Sequence, residues 1–399
     1  MLFIFCLSSV CNAEVDIRGE FERFSPGYNK NRKKLKKSLK KYLKAIQKKE
    51  KKGEATICVK QVYNEAKWFI SYTALLGEAQ KRLNRIEKLL AGQEKDSFKD
   101  EQSPVDGSWG RCYELWFLKL DVTSNHIGDL HHQKKLPKYA VKLLDKINGP
   151  ALLKAELNRI LISDIRKDGV FHRKELNLVV SALLRLITRS RPSNYSYHPK
   201  LKKTLLDFIN PSWQDEETGF WGAWIKSGDK LEKLGDLSIT FHIVSYLKGK
   251  VPRLGRIAWN TYQIRDDPYP LGLIEEGTYM NHHNYDAVRL FSYGWPTLDV
   301  NKRKLISSEI NKMLNWCLAS SLRSDGSFPL TPSEDSPAEA YYFGVSFLNE
   351  TGFFQKSKRF WTEKEFPQSA KIKKLILKQL HKLESSELFV RDTIKILNK

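Results

Sequence analysis

The densest group of chemically reactive side chains in this sequence lies between Tyr279 and Arg289. It combines two imidazoles, a phenol, a carboxyl group and a guanidinium group, carried by His282, His283, Tyr285, Asp286 and Arg289. If a helix begins near position 282, residues 282, 285, 286 and 289 share one face, because positions three and four apart are neighbours on a helix. Such a face can transfer protons and bind an anion. The alternative is a structural helix start, capped by Asn281 or Asn284, with Tyr285 in the core.

The same segment resembles the Asn-Asn-His-Ser-Tyr motif of the alginate lyases with an α/α-toroid fold, with Asn281, His283 and Tyr285 in register. Two positions differ: His282 replaces the asparagine that neutralises the substrate carboxylate in that family, and Asp286 replaces an aromatic residue. The resemblance implies cleavage of an acidic polysaccharide by β-elimination, with His283 and Tyr285 as base and acid. His282 or Arg289 is then expected to hold the substrate carboxylate.

Glycoside hydrolysis is the second enzymatic hypothesis, and it requires two carboxyl groups about 5 to 10 Å apart, one with a raised pKa. The candidate acidic residues are Asp215, Glu216, Glu217, Asp236, Asp286, Glu334 and Asp335. Asp236 and Asp286 are favoured because each lies beside aromatic and histidine-bearing segments. A third hypothesis is a non-enzymatic protein that binds glycans or assembles envelope polysaccharides through the same cleft.

Tryptophans near the turns supply the predicted substrate-binding surface, because an indole face stacks well on the apolar face of a sugar ring. The predicted substrate-binding residues are three tryptophans and three polar side chains: Trp109, Trp221, Trp224, Asn281, Asp236 and His242. Packing in the core is the alternative for each tryptophan.

Metal and nucleotide chemistry are not indicated. His126, His131 and His132 are loosely spaced for a ligand set, and the adjacent His282 and His283 point to different sides of a helix. The sequence contains no P-loop, no His-Glu-x-x-His and no Gly-x-Ser-x-Gly. We therefore expect no metal and no cofactor.

Short glycine turns divide the chain at near-constant intervals. Gly107, Gly169, Gly219, Gly272 and Gly326 are 62, 50, 53 and 54 residues apart, and three of the turns read Asp-Gly-x-aromatic. Such spacing is typical of one supersecondary unit used repeatedly. Between the turns, apolar residues recur with a helical period, and no sustained alternation predicts a strand. The repeated unit is therefore predicted to be a helical hairpin.

These hairpins predict an all-α fold, and about six of them can stack as an open solenoid or close into a ring. The turns resemble those of the terpene cyclase and prenyltransferase group, whose α/α toroid is also found in many glycoside hydrolases and polysaccharide lyases. The resemblance implies an (α/α) toroid of about six helical hairpins. No Asp-x-Asp-Asp or Asp-Asp-x-x-Asp accompanies it, so terpene cyclisation is not expected. Ring closure would gather Trp109, Phe171, Trp221, Trp224 and Phe328 at one mouth.

The first residues indicate export. Residues 1–13 are apolar and end in Cys-Asn-Ala, which resembles a signal peptide, so we expect a periplasmic or secreted protein. Residues 14–52 form a basic segment with an amphipathic helix, and residues 53–399 the predicted toroid domain. Beyond the signal peptide the cysteines are Cys58, Cys112 and Cys317, which allow one disulfide bond or three buried thiols.

Positive charge is concentrated near the start of the chain. The net charge is +22, and Lys30 to Lys52 contains 13 Lys or Arg against one Glu. With Leu35, Leu39, Leu43 and Ile46 on the opposite side, this segment predicts an amphipathic helix with a cationic face. An exported protein seldom meets nucleic acid, so an anionic membrane surface or an acidic polysaccharide is the expected partner. A solvated helix face without a partner is the alternative.

Overall fold

A computed structural model describes residues 16–188, 194–210, 213–331, 334, 336–383 and 388–398. The structure is mostly helical, with 61% helix, which confirms the prediction of a mainly α-helical fold. The predicted signal peptide, residues 1–13, and Asp335 lie outside the described residues. The domain boundaries at residues 13 and 52 stay a prediction.

The α-helices of the described residues follow in this order: α1 (Ile17–Phe24), α2 (Tyr28–Lys51), α3 (Ile57–Tyr72), α4 (Leu76–Leu90), α5 (Trp116–His132), α6 (Pro150–Leu161), α7 (Ile165–Asp168), α8 (Arg173–Leu183), α9 (Leu201–Ile209), α10 (Leu237–Tyr246), α11 (Leu254–Gln263), α12 (Asn281–Gly294), α13 (Val300–Trp316), α14 (Pro337–Glu350), α15 (Ser369–Leu380) and α16 (Leu388–Leu397). Short 3-10 helices span Lys142–Ile147, Trp295–Thr297 and Lys356–Lys358, and π-helical turns span Leu184–Thr188 and Cys317–Ser321. None of the helices in the described part of the chain is long and apolar enough to span a bilayer.

A small sheet is an addition that the sequence pattern did not predict. Its strands are β1 (Ile162–Ser163), β2 (Trp224–Ser227) and β3 (Lys230–Lys233). β2 pairs with β1 in parallel and with β3 in antiparallel orientation. Strands of two to four residues are too short to produce a visible alternation of apolar and polar side chains.

The described residues belong to two compact units. Those of Met1–Ala182, Pro192–Leu201 and Ala223–Leu234 form unit 1, and those of Leu183–Arg191, Lys202–Gly222 and Gly235–Lys399 form unit 2. In unit 1, α2 packs against α3 and α4. In unit 2, α12 packs against α10, α11 and α14, and α14 packs against α16.

Helix α2 is amphipathic, as predicted, with one correction. Leu35, Leu39 and Ile46 are buried, but Leu43 is 38% exposed. At 100° per residue, Leu43 lies about 60° from the line through Tyr28 and Ile46 that marks the centre of the buried face. It therefore sits at the edge of the contact with α3 and α4.

The glycine turns are built in the same way at corresponding positions. Gly107, Gly219 and Gly326 have φ angles of 68°, 77° and 88°, in the left-handed region that favours glycine. A Cβ atom on Gly107 would lie 2.0 Å from the carbonyl oxygen of Ala140, so the close approach of the two backbones also requires glycine.

Side-chain hydrogen bonds repeat at two of these turns. Gln102 Nε2 donates to the carbonyl of Gly107, and Gln214 Nε2 donates to that of Gly219, both at 2.9 Å. Likewise, the backbone N–H groups of Trp109 and Trp221 donate to the hydroxyl groups of Thr123 and Thr240. The turns at Gly107 and Gly219 are thus built alike, whereas Gly272 of the predicted series does not have a positive φ angle.

One disulfide bond joins Cys58 on α3 to Cys112, with 5.3 Å between their Cα atoms. Cys317 is a buried thiol. Of the two possibilities that the sequence left open, the chain therefore has the single bridge.

Candidate functional site

Helix α12 carries the reactive segment and begins at Asn281, one residue before the predicted start. Its N-cap residue is Met280, and no side chain caps the helix, so the predicted caps Asn281 and Asn284 do not act in this way. The side chain of His282 is 25% exposed, whereas those of Tyr285 and Asp286 are buried. The predicted face therefore exists, with its imidazole at the surface and its phenol and carboxyl group beneath.

His282 is held between an aromatic ring and a carboxyl group. Its ring stacks on Phe343 of α14, with 3.9 Å between the ring centroids and 20° between the planes. Its Nε2 atom lies 3.9 Å from Oδ2 of Asp286, one helical turn further along α12. These contacts fix the orientation of the one imidazole on this helix that reaches the surface.

Asp286 is fully buried, and neither of its carboxyl oxygens has a hydrogen-bond partner in the described structure. Burial raises the pKa of Asp286 well above its usual value, and the charge of Asp236 raises it further, against the opposing charge of Arg289. Burial and a like charge both disfavour the ionised form. The surroundings of Asp286 therefore favour its protonated form.

Tyr285 and Arg289 form a hydrogen-bonded pair. Arg289 Nη1 donates to the phenol oxygen of Tyr285 at 2.7 Å, across the one-turn spacing that the sequence predicts. Burial raises the pKa of Tyr285 well above its usual value, so the phenol keeps its proton. Burial acts to lower the pKa of Arg289, but Tyr285 and Glu350 outweigh it, and the guanidinium stays charged.

His283 is not accessible in the way that its predicted role as base requires. It is 1% exposed, and Tyr269 covers its ring at a centroid distance of 3.6 Å, with the planes 4° apart. Nδ1 lies 3.2 Å from the carbonyl of Leu273, and Nε2 lies 3.5 Å from Oε2 of Glu275. Burial lowers the pKa of His283 to about 4. The imidazole is neutral, as a base must be, but it is enclosed.

Two asparagines on α12 add further unpaired polar atoms. Asn281 Nδ2 donates to Ser321 Oγ at 2.8 Å, but its Oδ1 has no partner in the described structure. Asn284 is fully buried, and neither its oxygen nor its nitrogen is paired within the described residues. An unsatisfied buried polar group costs about 1 to 3 kcal/mol. Folded proteins rarely retain several of them on one helix without water, a ligand or a function to account for them.

Two of the predicted stacking tryptophans are core residues. Trp221 is fully buried, and its indole N–H donates to the carbonyl of Ile209 at 2.9 Å. Trp109 is buried and stacks on His126, with 5.1 Å between the ring centroids. These two tryptophans therefore match the alternative of core packing, because the repeated glycine turns direct their side chains inward. Trp224, on β2 of unit 1, is half-buried, with Lys233 Nζ 5.4 Å from its ring centroid.

Asp236 precedes α10 as its N-cap residue, and His242 lies within this helix. Asp236 is buried and caps this helix, since its Oδ1 accepts a hydrogen bond from Ile239 N at 2.9 Å. His242 is half-buried and stacks on Tyr246, with 5.5 Å between the centroids. A structural role therefore explains the position of Asp236, although its charge acts on Asp286.

The remaining candidate carboxyl groups have local roles. Asp215 Oδ1 accepts hydrogen bonds from Thr218 N and Oγ1 within its turn. Glu216 pairs with Arg253 at 3.1 Å, and Glu217 is exposed. Glu334 is buried, accepts hydrogen bonds from the backbone and hydroxyl of Thr331, and has a pKa raised by burial.

Sequence reasoning missed the aromatic residues that surround His282 and His283. Phe343 follows Tyr341 and Tyr342 on α14, and this run of three aromatic residues was the available signal. Tyr269 lies in the connection before α12 and had no such signal. Among the described residues, no group of three or more His, Cys, Asp or Glu side chains is arranged to hold a metal ion.

Comparison of the chain with models of protein families, with curated proteins and with solved structures gave no match.

Proposed function

We propose that this chain binds an acidic polysaccharide at α12 and cleaves it by β-elimination. The observation that carries the proposal is the polar face of α12. A surface imidazole, a protonated phenol, a charged guanidinium and a carboxyl group without a hydrogen-bond partner in the described structure lie within two turns of one helix. Elimination needs these functions together: a base, an acid and a cation for the uronate carboxylate.

Because His282 reaches the surface and His283 does not, the role of base differs from the one expected from sequence. His282 takes the place of the enclosed His283 as the base, and its imidazole accepts the C5 proton of the sugar. The C5–H electron pair forms the C4–C5 double bond as the C4–O bond breaks. The leaving oxygen then takes the proton of Tyr285. Arg289 binds the uronate carboxylate, because a guanidinium can donate two parallel hydrogen bonds to it. Asp286 is a positioning residue beneath His282.

The proposed location is periplasmic or secreted. The disulfide bond between Cys58 and Cys112 supports this location, because such bonds persist in oxidising compartments and are rare in a reducing cytosol. Acidic polysaccharides are also found outside the cytoplasm, so location and substrate agree.

The proposed architecture is an (α/α) toroid of about six helical hairpins. Its support is the repetition of the same turn bonds around Gly107 and Gly219, and the packing of neighbouring helices such as α3 with α4 and α11 with α12. A compact protein of 399 residues has a radius of gyration of about 21 Å. Small-angle X-ray scattering should give about this value for a closed ring. A much larger value would indicate an open superhelix and contradict the toroid.

The test of activity is incubation with soluble polyuronates and with neutral glycans. Elimination creates a double bond conjugated to the carboxylate, so the product absorbs in the ultraviolet, whereas the product of a hydrolase does not. Tyr285→Phe removes only the phenolic proton and should lower turnover by about 100-fold or more while binding is retained. Tyr262→Phe, a half-buried tyrosine on α11, is the matched control and should leave turnover unchanged.

Arg289→Ala should act mainly on binding. Loss of a charge-assisted hydrogen bond should weaken the affinity for polyuronates about 10- to 100-fold, and the affinity for neutral glycans should not change. Equal loss for both classes of glycan would contradict a carboxylate-binding role.

Hydrolysis is the second candidate, because burial and the charge of Asp236 raise the pKa of Asp286, and glycosidases need one carboxyl group with a raised pKa. Both carboxyl groups are buried, which makes this candidate weaker. Products without ultraviolet absorbance, lost in Asp286→Asn, would establish it. Binding without any product would instead support the non-enzymatic glycan-binding hypothesis.

A further inference from the structure

The exposed face of α2 is a continuous stripe of lysines. At 100° per residue, nine lysines fall within an arc of about 120°. These are Lys30, Lys33, Lys34, Lys37, Lys40, Lys41, Lys44, Lys48 and Lys51, and no other residue type of this helix lies in the arc. We call these residues the lysine stripe. From Lys30 to Lys51 it is about 32 Å long, at 1.5 Å per residue.

Packing fixes the stripe toward solvent. Leu35, Leu39 and Ile46 lie on the opposite side of α2 and are buried. Because this side packs against α3 and α4, the helix cannot turn its lysines inward. All nine lysines of the stripe are exposed.

The lysines of the stripe are not neutralised by ion pairs within the described structure. None of its nine lysines forms an ion pair with a described residue. The nearby carboxylates bind other lysines: Glu50 pairs with Lys60, and Glu54 pairs with Lys49 and Lys52. Nine like charges on one helix face repel one another, and an anionic partner relieves this repulsion.

We propose that the lysine stripe binds the surface of a membrane rich in anionic lipids. A helix surface is convex, and the stripe contains neither arginine nor an aromatic ring. Lysine ammonium groups are point charges without the planar geometry that recognises individual carboxylates or phosphates. Without rings to stack on sugars, the stripe also lacks the usual means of selecting a polysaccharide. A long row of point charges matches a broad, laterally fluid anionic surface, where each lysine strengthens binding about fivefold.

The test is sedimentation of the full chain with lipid vesicles. Vesicles of phosphatidylcholine alone should not bind, whereas vesicles that also contain phosphatidylglycerol should. Binding should weaken strongly as salt rises from about 0.01 to 0.15 M, because the screening length falls from about 30 to 8 Å. Binding that is independent of anionic lipid or insensitive to salt would overturn the proposal.

A charge-matched pair of variants separates the stripe from overall net charge. Changing Lys33, Lys37, Lys41 and Lys44 to Gln should weaken binding to anionic vesicles by about 100-fold or more. The control changes four other exposed lysines to Gln, namely Lys364, Lys371, Lys374 and Lys378, and should weaken binding less than about fivefold. All eight are exposed, so folding should be unaffected, and thermal unfolding checks this. Equal effects of the two sets would overturn the proposal.

Binding of the same variants to a soluble polyuronate tests the alternative partner, an acidic polysaccharide. If the stripe variant loses polyuronate binding while binding to vesicles is unchanged, the stripe is a polysaccharide site and the proposal is overturned. The proposal is independent of the activity at α12. The stripe variant should cleave soluble polyuronate at the wild-type rate, and Tyr285→Phe should bind vesicles normally.

Discussion

Two regions of this molecule differ in whether their buried charged and polar groups have hydrogen-bond partners. In unit 1, the buried carboxylate of Glu65 accepts hydrogen bonds from the backbone N–H groups of Glu114 and Leu115 and pairs with Arg82 at 3.3 Å. Arg82 also pairs with the carboxylates of Glu78 and Glu114. In unit 2, five buried side-chain atoms of α12 have no hydrogen-bond partner among the described residues: Asn281 Oδ1, both polar atoms of Asn284 and both oxygens of Asp286.

This difference distinguishes buried polar groups that stabilise the fold from buried polar groups with a functional role. A buried charge is tolerated when hydrogen bonds and opposite charges replace its hydration, as around Glu65. Unpaired buried groups cost stability, so selection for the fold alone would remove them. Functional sites are where proteins retain such costs. We therefore infer that the Glu65 cluster is structural and that the unpaired face of α12 is functional.

The largest change in stability is expected from breaking the paired cluster around Glu65. Glu65→Ala leaves Arg82 and two backbone N–H groups without this carboxylate, so the free energy of unfolding should fall by about 3 to 5 kcal/mol. Glu78→Ala, which removes a more exposed partner of the same arginine, should cost about 1 kcal/mol or less. Urea denaturation measures both. Equal losses of unfolding free energy in the two variants would contradict a larger structural role for the buried carboxylate than for the exposed one.

A second paired group in unit 1 should make stability depend on pH. His172 is buried, with Nδ1 2.8 Å from Glu175 and Nε2 3.5 Å from Asp168. Burial acts to lower its pKa, but hydrogen bonds to Asp168 and Glu175 outweigh burial and raise it to about 9. A pKa raised in the folded state stabilises the protein fully below the unfolded value, about 6.5, and this contribution is lost as the pH passes 9.

The free energy of unfolding should therefore fall by about 3 kcal/mol between pH 6 and 10 through this group. Denaturation across this range measures the loss. His172→Gln should remove this part of the pH dependence, and a variant that keeps the full slope would contradict the assignment.

The smallest expected effect concerns the unpaired helix. Asn284→Leu replaces a buried amide, which has no partner in the described structure, by an apolar side chain of similar size. The free energy of unfolding should stay the same or rise by about 1 kcal/mol, because no hydrogen bond is lost and a desolvation cost is removed. A loss of more than about 2 kcal/mol would mean that Asn284 is paired after all and that the contrast between the two regions fails.

The features that depend on local sequence could be predicted. Helix α12 and the bond between Tyr285 and Arg289 follow from helical spacing, and the turns at Gly107 and Gly219 follow from residues close in the chain. The amphipathic α2 is predictable for the same reason, except at Leu43, on the edge of its buried face.

The features that depend on packing could not be predicted. The sequence gives no sign that Tyr269 covers His283, or that Trp221 points inward to the carbonyl of Ile209. The short strands were missed because two to four residues do not show a period. Adjacent histidines have the same chemistry, so only their burial distinguishes His282 from His283.

The most direct test of whether the polar face of α12 acts on a substrate is the rate of polyuronate cleavage. Unsaturated product released from polyuronate should be followed by ultraviolet absorbance for the wild type, His282→Gln and His283→Gln at equal concentrations of folded protein. We expect His282→Gln to lower the rate by about 100-fold or more, as for loss of a general base, and His283→Gln to lower it far less. A wild-type rate in His282→Gln would contradict the assignment of this face to catalysis.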